Sequence, residues 1–290
     1  MKQILNQIKR LEINTKRLVD GLISGNYHSV FKGRGIEFSE IREYKPGDDV
    51  RTIDWNVTAR FNKPFIKEFI EERDLKVYFV LDVSGSGNFG NNVEKKRKSI
   101  ELIASLMFSA MKNNDAVGIF LITDKVEKFI PARKGRKHIL RLLSEFISFK
   151  PESKQTDLNE PLKSISRILK RRSIIFVVSD FFAEDFSKPL KILKRKNDVI
   201  AVRITDKREK KIPDVGYIEL EDEETGEQIL VDTSDEEFRE KYSSIIKKND
   251  SELIKFFRKY KIDFVEILTD EGYEKPLKKF FKMRKLRMVR

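Results

Sequence analysis

Five short runs of apolar, mostly β-branched residues recur along the chain, and most are separated by segments whose apolar residues follow helical spacing. The runs are VYFVLDV, AVGIFLIT, SIIFVVSD, DVIAVRIT and DFVEILTD, and the segments between them include KSIELIASLMFSAMKN and LNEPLKSISRILKR. Strands that alternate with helices build parallel sheets, and strands that are apolar throughout are covered on both faces. The pattern predicts an α/β fold with a doubly wound, mainly parallel sheet flanked by helices.

The remaining patterns set the domain organisation. Residues 1–24 carry apolar residues at helical spacing and predict an N-terminal helical segment. Residues 25–73 contain the turn signals GNY, KGRG and KPGDD around EFSEIREY, which predicts a small β-rich insertion before an α/β domain over residues 74–290. Within that domain VEKFIPA predicts an antiparallel edge strand, GYIELEDEETGEQILVDT a hairpin turning at Glu224-Thr225-Gly226, and residues 235–260 a helix.

The charge and cysteine content narrow the function classes. The 290 residues include 60 Lys and Arg against 47 Asp and Glu, and the net charge of +13 suits an acidic partner such as nucleic acid or an anionic surface. The alternative is that the basic residues lie on a surface that contacts only water, which gives the same net charge. The absence of cysteine excludes disulfides, cysteine-based zinc sites and thiol nucleophiles. No apolar run approaches the roughly 20 residues that span a bilayer, and we expect a cytoplasmic protein.

The loop in FVLDVSGSGNFG fits two incompatible templates. Gly85, Gly87 and Gly90 form G-x-G-x-x-G after a strand, as in a dinucleotide-binding turn. That template needs a helix directly after the glycines and an acidic residue at the end of the next strand. Here NNVEKKRK follows the last glycine and Asp115 precedes the next strand, so the fit is poor.

The same loop also presents Asp82, Ser84 and Ser86 as D-x-S-x-S, three oxygen-bearing side chains that suit a hard divalent cation. Thr156 in KQTDLNE lies in a polar loop before a helix, and Asp180 in IIFVVSDFF ends a later strand, so both can supply further oxygen ligands. Because the carboxyl ends of parallel strands meet at one edge, we expect all five side chains there. Taken singly, each has an ordinary explanation as a turn former, a helix cap or a strand-ending residue.

These five positions resemble the metal-ion-dependent adhesion site of von Willebrand factor A domains. The resemblance implies that a divalent cation such as Mg²⁺ is bound by the first three nearly directly and by Thr156 and Asp180 directly or through water. One coordination position would remain for the carboxylate of a partner. The glycine that usually follows the last Asp in such sites is Phe181 in this chain.

Residues 33–60, GRGIEFSEIREYKPGDDVRTIDWNVTAR, resemble the signature of domain of unknown function 58. The signature residues taken as candidates, with no role assigned, are Arg42, Tyr44, Asp48, Arg51, Asp54, Trp55 and Arg60. The single tryptophan is predicted to be a buried anchor, and the charged residues an ion-paired network that braces this segment. A binding surface is the alternative.

These observations favour a non-enzymatic protein-interaction module. The family resemblance implies a MoxR-type AAA+ ATPase, or its client, as the partner. The alternative is a Mg²⁺-dependent phosphohydrolase or nuclease that uses Asp82 and Asp180, although no general base is evident. A third hypothesis is nucleic-acid binding without a metal. The basic end EKPLKKFFKMRKLRMVR could bind nucleic acid or anionic lipid, or could be a final amphipathic helix with a solvated basic face.

Overall fold

The computed structural model describes residues 8, 11–13, 37–70, 75–84, 93–153, 155–183, 185–221 and 227–288 of the chain. The chain forms two compact units, one of residues 1–30 with 76–290 and one of residues 31–75. The strands are β1 (Glu37–Glu43), β2 (Phe65–Ile70), β3 (Lys76–Asp82), β4 (Ala116–Ile122), β5 (Val126–Arg133), β6 (Ile174–Val178), β7 (Asp198–Thr205), β8 (Tyr217–Glu221), β9 (Gln228–Asp232) and β10 (Asp263–Leu268). The helices are α1 (Trp55–Phe61), α2 (Val93–Lys112), α3 (Arg136–Ser148), α4 (Asn159–Ile168), α5 (Ser187–Lys196), α6 (Lys207–Lys210), α7 (Glu236–Lys259) and α8 (Glu274–Met288).

The larger unit is built on a six-stranded sheet with the order β10-β7-β6-β3-β4-β5. Every neighbouring pair is parallel except β4 and β5, which are antiparallel at one edge. Helices follow most of the strands in the chain, as the alternation of sequence patterns predicted. The predicted α/β sheet and its antiparallel edge strand are confirmed.

In β3, β4, β6 and β7 the side chains on both faces of the sheet are buried, which is why these strands are largely apolar. On one face Tyr78, Val80 and Phe120 pack with residues of α4, α5 and α7 in a single core cluster. On the other face Phe79 and Phe176 stack with ring centroids 5.1 Å apart. Helix α2 lies against β4 and β7, and α8 lies against β10.

Strands β8 and β9 form a separate antiparallel hairpin, as predicted. The predicted turn at Glu224-Thr225-Gly226 lies outside the described residues. The helix predicted over residues 235–260 is α7, whose amino end is capped by Asp235 through bonds from the backbone N–H groups of Glu237 and Phe238. No helix in the described part of the chain is both long enough and apolar enough to cross a membrane.

The smaller unit contains the antiparallel pair of β1 and β2, a 3-10 helix at Val50–Thr52 and helix α1. The two strands agree with the predicted β-rich segment, whereas α1 was not predicted. The N-terminal helical segment predicted over residues 1–24 is described only at residues 8 and 11–13, which are helical. There Ile8 and Leu11 are buried, and Glu12 receives two hydrogen bonds from Arg136 in the same unit.

Helix α8 is fastened to the sheet by Arg284, a nearly buried side chain. Its guanidinium donates to Asp263 Oδ2 at 2.6 Å and also to Asp198 Oδ2. Asp198 and Asp263 are the first residues of the neighbouring strands β7 and β10. One guanidinium therefore joins the amino ends of two strands to the last helix.

The Arg284→Ala substitution is expected to lower the free energy of unfolding by about 1.5–3 kcal/mol, because Asp198 and Asp263 lose their shared guanidinium and keep only Lys194 and Arg287 as partners. Urea denaturation followed by circular dichroism measures the effect. The control is Lys285→Ala, the exposed neighbouring residue, which should change stability by less than about 0.5 kcal/mol. Equal effects of the two variants would contradict the role of Arg284.

Candidate metal site

The carboxyl end of β3 lies at the point where the strand order of the sheet reverses. The chain passes from β3 to β4 on one side, and β6 lies against β3 on the other. Leu81 pairs with Val178 of β6 in parallel register, and Val83 N–H donates to the Ile122 carbonyl at the end of β4 at 2.8 Å. Such reversal points form crevices outside the carboxyl ends of the strands, where ligands of open α/β sheets bind.

Asp82 is the last residue of β3, and both of its carboxylate oxygens are held by hydrogen bonds. The Ser84 hydroxyl donates to Oδ1 at 2.5 Å, and the Ser84 backbone N–H donates to the same oxygen at 3.2 Å. The Ser179 hydroxyl donates to Oδ2 at 2.7 Å. Asp82 is only 2% exposed. The carboxylate is therefore fixed in orientation and shielded from water.

Asp180 lies beside this carboxylate, one residue beyond Ser179. Its Oδ1 accepts a hydrogen bond from Phe182 N–H at 3.1 Å, which makes a tight turn after β6. Phe181 within this turn has φ 59°, the left-handed conformation that the usual glycine adopts without strain. A phenylalanine rarely adopts this conformation, so the turn after Asp180 holds its backbone in a strained form.

The two carboxylates interact electrostatically. Burial, and after it the negative charge of Asp180, raises the pKa of Asp82 from 3.8 to about 6. In the part of the chain that the structure describes, neither Asp82 nor Asp180 forms an ion pair with a basic side chain. A buried pair of like charges with no positive partner is unfavourable unless a proton or a cation joins it.

Thr156 lies in the loop between α3 and α4 and is half-buried. The Glu127 carboxylate, near the start of β5, accepts hydrogen bonds from the N–H groups of Glu152 at 2.9 Å and Ser153 at 3.1 Å. Leu158 is buried in the core with Val80 of β3. These contacts attach the loop to the carboxyl edge of β4, the edge at which Asp82 lies.

Thr156 does not cap α4. The helix begins at Asn159, whose N–H donates to Asp157 Oδ1 at 2.7 Å. The Thr156 hydroxyl is therefore not explained as the cap of this helix. Its role as a metal ligand stays a prediction, and Ser86 lies outside the described residues.

Sequence reasoning missed Ser179. Its hydroxyl donates to Asp82 and accepts from the Phe181 N–H at 3.1 Å, so it joins the ends of β3 and β6. The available signal was a hydroxyl residue immediately before an Asp at the end of an apolar strand. Alone, that pattern indicates only a turn.

In the smaller unit, the prediction that Trp55 is a buried anchor is wrong, because its side chain is 70% exposed. Trp55 is the first residue of α1, a helix with no buried residue. The unit consists of two strands and short helices, and so small a body has few residues with which to cover a large aromatic ring. The Trp55 ring is therefore left in contact with solvent.

The predicted ion-paired network of the signature is formed only in part. Arg42 donates two hydrogen bonds to Asp48 at 2.8 and 2.9 Å and, with the Lys45 backbone N–H, lowers the pKa of that carboxyl to about 2. Asp54 caps α1 and pairs with Lys67 at 3.2 Å. These bonds tie the strand β1 to the following turn and the helix α1 to β2.

The other signature residues contribute less to the network. The backbone N–H of Tyr44 donates to the Pro64 carbonyl at 2.8 Å, which adds to the pairing of the two strands. Arg51 and Arg60 are exposed and form no ion pair within residues 37–70. The structure assigns them no bracing role.

The chain matches the family described as "Protein of unknown function DUF58" over residues 40–252. The match covers most of the chain. The chain belongs to the DUF58 family. The uncharacterized protein Rv1480 of Mycobacterium tuberculosis is 31% identical to this DUF58 protein over 223 residues, which are 76% of this chain and 70% of that protein. The uncharacterized protein YeaD of Bacillus subtilis is 25% identical over 46% of this chain and 31% of its own length.

Two solved structures resemble this DUF58 protein distantly. An aerotolerance-related membrane protein from Bacteroides fragilis matches 74% of this chain and 100% of its own, with 17% identity and a TM-score of 0.44. The conserved hypothetical protein BatB from Bacteroides thetaiotaomicron matches 72% of this chain and 98% of its own, with 15% identity and a TM-score of 0.40. Likeness at this level carries no inference about the site.

The buried carboxyl predicts an unusual pH dependence of stability in the presence of EDTA. Because the folded chain binds the Asp82 proton more tightly than the unfolded chain does, stability contributed by this group falls as the pH rises from 3.8 to about 6. The Asp82→Asn substitution removes this loss of stability. At neutral pH the variant should therefore have a free energy of unfolding up to about 3 kcal/mol higher than that of the wild type. Urea denaturation across this pH range measures the difference.

The control is Asp185→Asn, an exposed carboxyl in the segment after β6, and it should leave the pH profile unchanged. If the profiles of the wild type and Asp82→Asn run parallel, the carboxyl of Asp82 is not the titrating group.

Proposed function

We propose that this DUF58 protein carries a metal-ion-dependent adhesion site of the von Willebrand factor A type at the carboxyl edge of its sheet. The proposed ligands of the divalent cation are Asp82, Ser84, Ser86, Thr156 and Asp180. The observation that carries the proposal is the buried Asp82 carboxylate, which is oriented by two hydroxyl groups and lies beside the charge of Asp180. Within the described residues this pair has no positive partner.

The side chains present suit a hard cation. Mg²⁺, Mn²⁺ and Ca²⁺ prefer carboxylate, hydroxyl and water oxygens. The Ser84 hydroxyl donates its proton to Asp82, and a hydroxyl oxygen is a ligand type that such ions accept. A bound cation would supply the positive charge that the two carboxylates need, and one open coordination position would accept a carboxylate from a partner.

The proposed activity is protein binding without bond cleavage, in a cytoplasmic module. Around Asp82 the described side chains are hydroxyls and a second carboxylate, which can position an ion but offer no separate base. His138, the described histidine, lies 2.9 Å from the Val117 carbonyl at the amino end of β4, and burial lowers its pKa. It is therefore at the opposite edge of the sheet.

A MoxR-type AAA+ ATPase, or a client of one, is the proposed partner. This step rests on the family resemblance of the five site positions and of residues 33–60. A metal site that is completed by the partner would make the association sensitive to chelators. The proposal therefore predicts that removal of the metal by a chelator also weakens binding of the partner.

Adding Mg²⁺ or Mn²⁺ to the EDTA-treated chain is expected to raise its melting temperature, because a cation bound only by the folded state adds about 2.7 kcal/mol at 100 times its dissociation constant. Differential scanning fluorimetry measures the shift. The shift should vanish in Asp82→Asn and in Asp180→Asn, whereas the exposed carboxyl variant Asp185→Asn should keep it. A chain that no divalent cation stabilises has no such site.

Binding to a purified MoxR-type ATPase of the same organism is expected to weaken at least tenfold, or about 1.4 kcal/mol, with EDTA or with Asp82→Ala. Surface plasmon resonance with and without Mg²⁺ measures the affinities, and Asp185→Asn is the matched control. Equal capture in EDTA and in Asp82→Ala would refute metal-dependent association. Metal-dependent turnover of phosphate esters or nucleic acids that is lost in Asp82→Asn would identify an enzyme instead.

A further inference from the structure

Helix α8 exposes a row of lysines. We name it the lysine face, and its members are Lys275, Lys278, Lys279, Lys282 and Lys285. Ion pairs of α8 involve Arg284 and Arg287 on the side that faces the sheet. Within the described residues no member of the lysine face has an acidic partner. The opposite side of the helix buries Leu277, Phe280 and Phe281.

Helix geometry brings these charges together. At 3.6 residues per turn and 1.5 Å per residue, the five lysines fall in a sector of roughly 120° along about 15 Å of the helix. Glu274, at the start of the helix, is the single acidic residue in the sequence of α8. The lysine face is therefore a continuous positive strip without internal neutralisation.

Helix stability does not explain this strip. A basic residue is favourable near the carboxyl end of a helix, which accounts for Lys285 in the last turn. Lys275 lies at the amino end, where a positive charge opposes the helix dipole. Lys275 with Lys279, and Lys278 with Lys282, are also like charges four residues apart, which destabilise a helix. An anionic partner would offset both the unfavourable helix-dipole interaction and the repulsion between the lysines.

We propose that the lysine face binds the surface of an anionic lipid bilayer. Leu286, which is 56% exposed, falls within the same sector, and Met283, which is 51% exposed, borders it. Phosphates of a nucleic acid offer no apolar contact to a leucine among lysines. A bilayer offers lipid phosphates to the ammonium groups and the acyl boundary to Leu286 and Met283. The combination of charge and apolar side chains therefore fits lipid.

The test is sedimentation of the full chain with phosphatidylcholine vesicles that contain or lack phosphatidylglycerol. Binding is expected only with the anionic lipid. Replacing Lys278, Lys279 and Lys282 together by Gln should weaken it on the order of 100-fold, since each lysine contributes about a factor of five near such a surface. Leu286→Gln should weaken it roughly tenfold through the lost apolar contact.

The matched control replaces Lys247, Lys248 and Lys255, three exposed lysines of α7, by Gln, which removes the same charge from another helix. This variant should retain binding, and melting curves show whether each variant is folded. Equal losses in the two triple variants would overturn the proposal, as would failure of the wild type to bind anionic vesicles. Tight binding to a DNA duplex that is unaffected by Leu286→Gln would overturn it in favour of nucleic acid.

Discussion

The ionised carboxylate of Asp82, buried at the end of the central strand, is the constraint on which the candidate site depends. Removing a carboxylate from water raises the free energy of its charged form, and a second carboxylate nearby raises it further. Hydrogen bonds from Ser84 and Ser179 orient the Asp82 carboxylate but add no positive charge. The missing charge is what makes this edge of the sheet suited to a cation rather than simply polar.

Neighbouring strand ends show that this fold ordinarily neutralises its buried charges. Asp206, at the end of β7, is buried and bonds to Arg208 at 2.9 Å. Lys95, a buried side chain in the first turns of α2, pairs with Glu209 at 2.8 Å. These pairs lie at the same carboxyl edge as Asp82. The unpaired state of Asp82 and Asp180 in the described part of the chain is therefore a local departure from this pattern, and the proposed cation site rests on it more than on the residue types.

Sequence patterns predicted the sheet because a strand buried on both faces is mostly apolar, and β3, β4, β6 and β7 satisfy this, although β7 also buries Arg203. They predicted the position of Asp82 and Asp180 because each lies at or just beyond the carboxyl end of such a strand. They could not predict which side chains contact each other, since strand order and register decide that Ser179 reaches Asp82. Trp55 was misjudged because the expectation of burial assumes a core, and a unit with a two-stranded sheet has little core to offer. Helix α1 was missed because seven residues are too few to show helical periodicity, although Asp54 was a readable cap.

The proposed metal site and the lysine face can act independently. In the strand order, β10, on which α8 packs, is separated from β3 by β7 and β6. At about 4.8 Å between neighbouring strands, the two regions are about 14 Å apart even before the thickness of the helix is added. The Debye length at physiological ionic strength is about 8 Å, so the field of the exposed lysines is largely screened before it reaches Asp82. Loss of the lysine charges should therefore leave cation affinity unchanged, and a chain resting on a lipid surface through α8 would still present the carboxyl edge of its sheet to a partner.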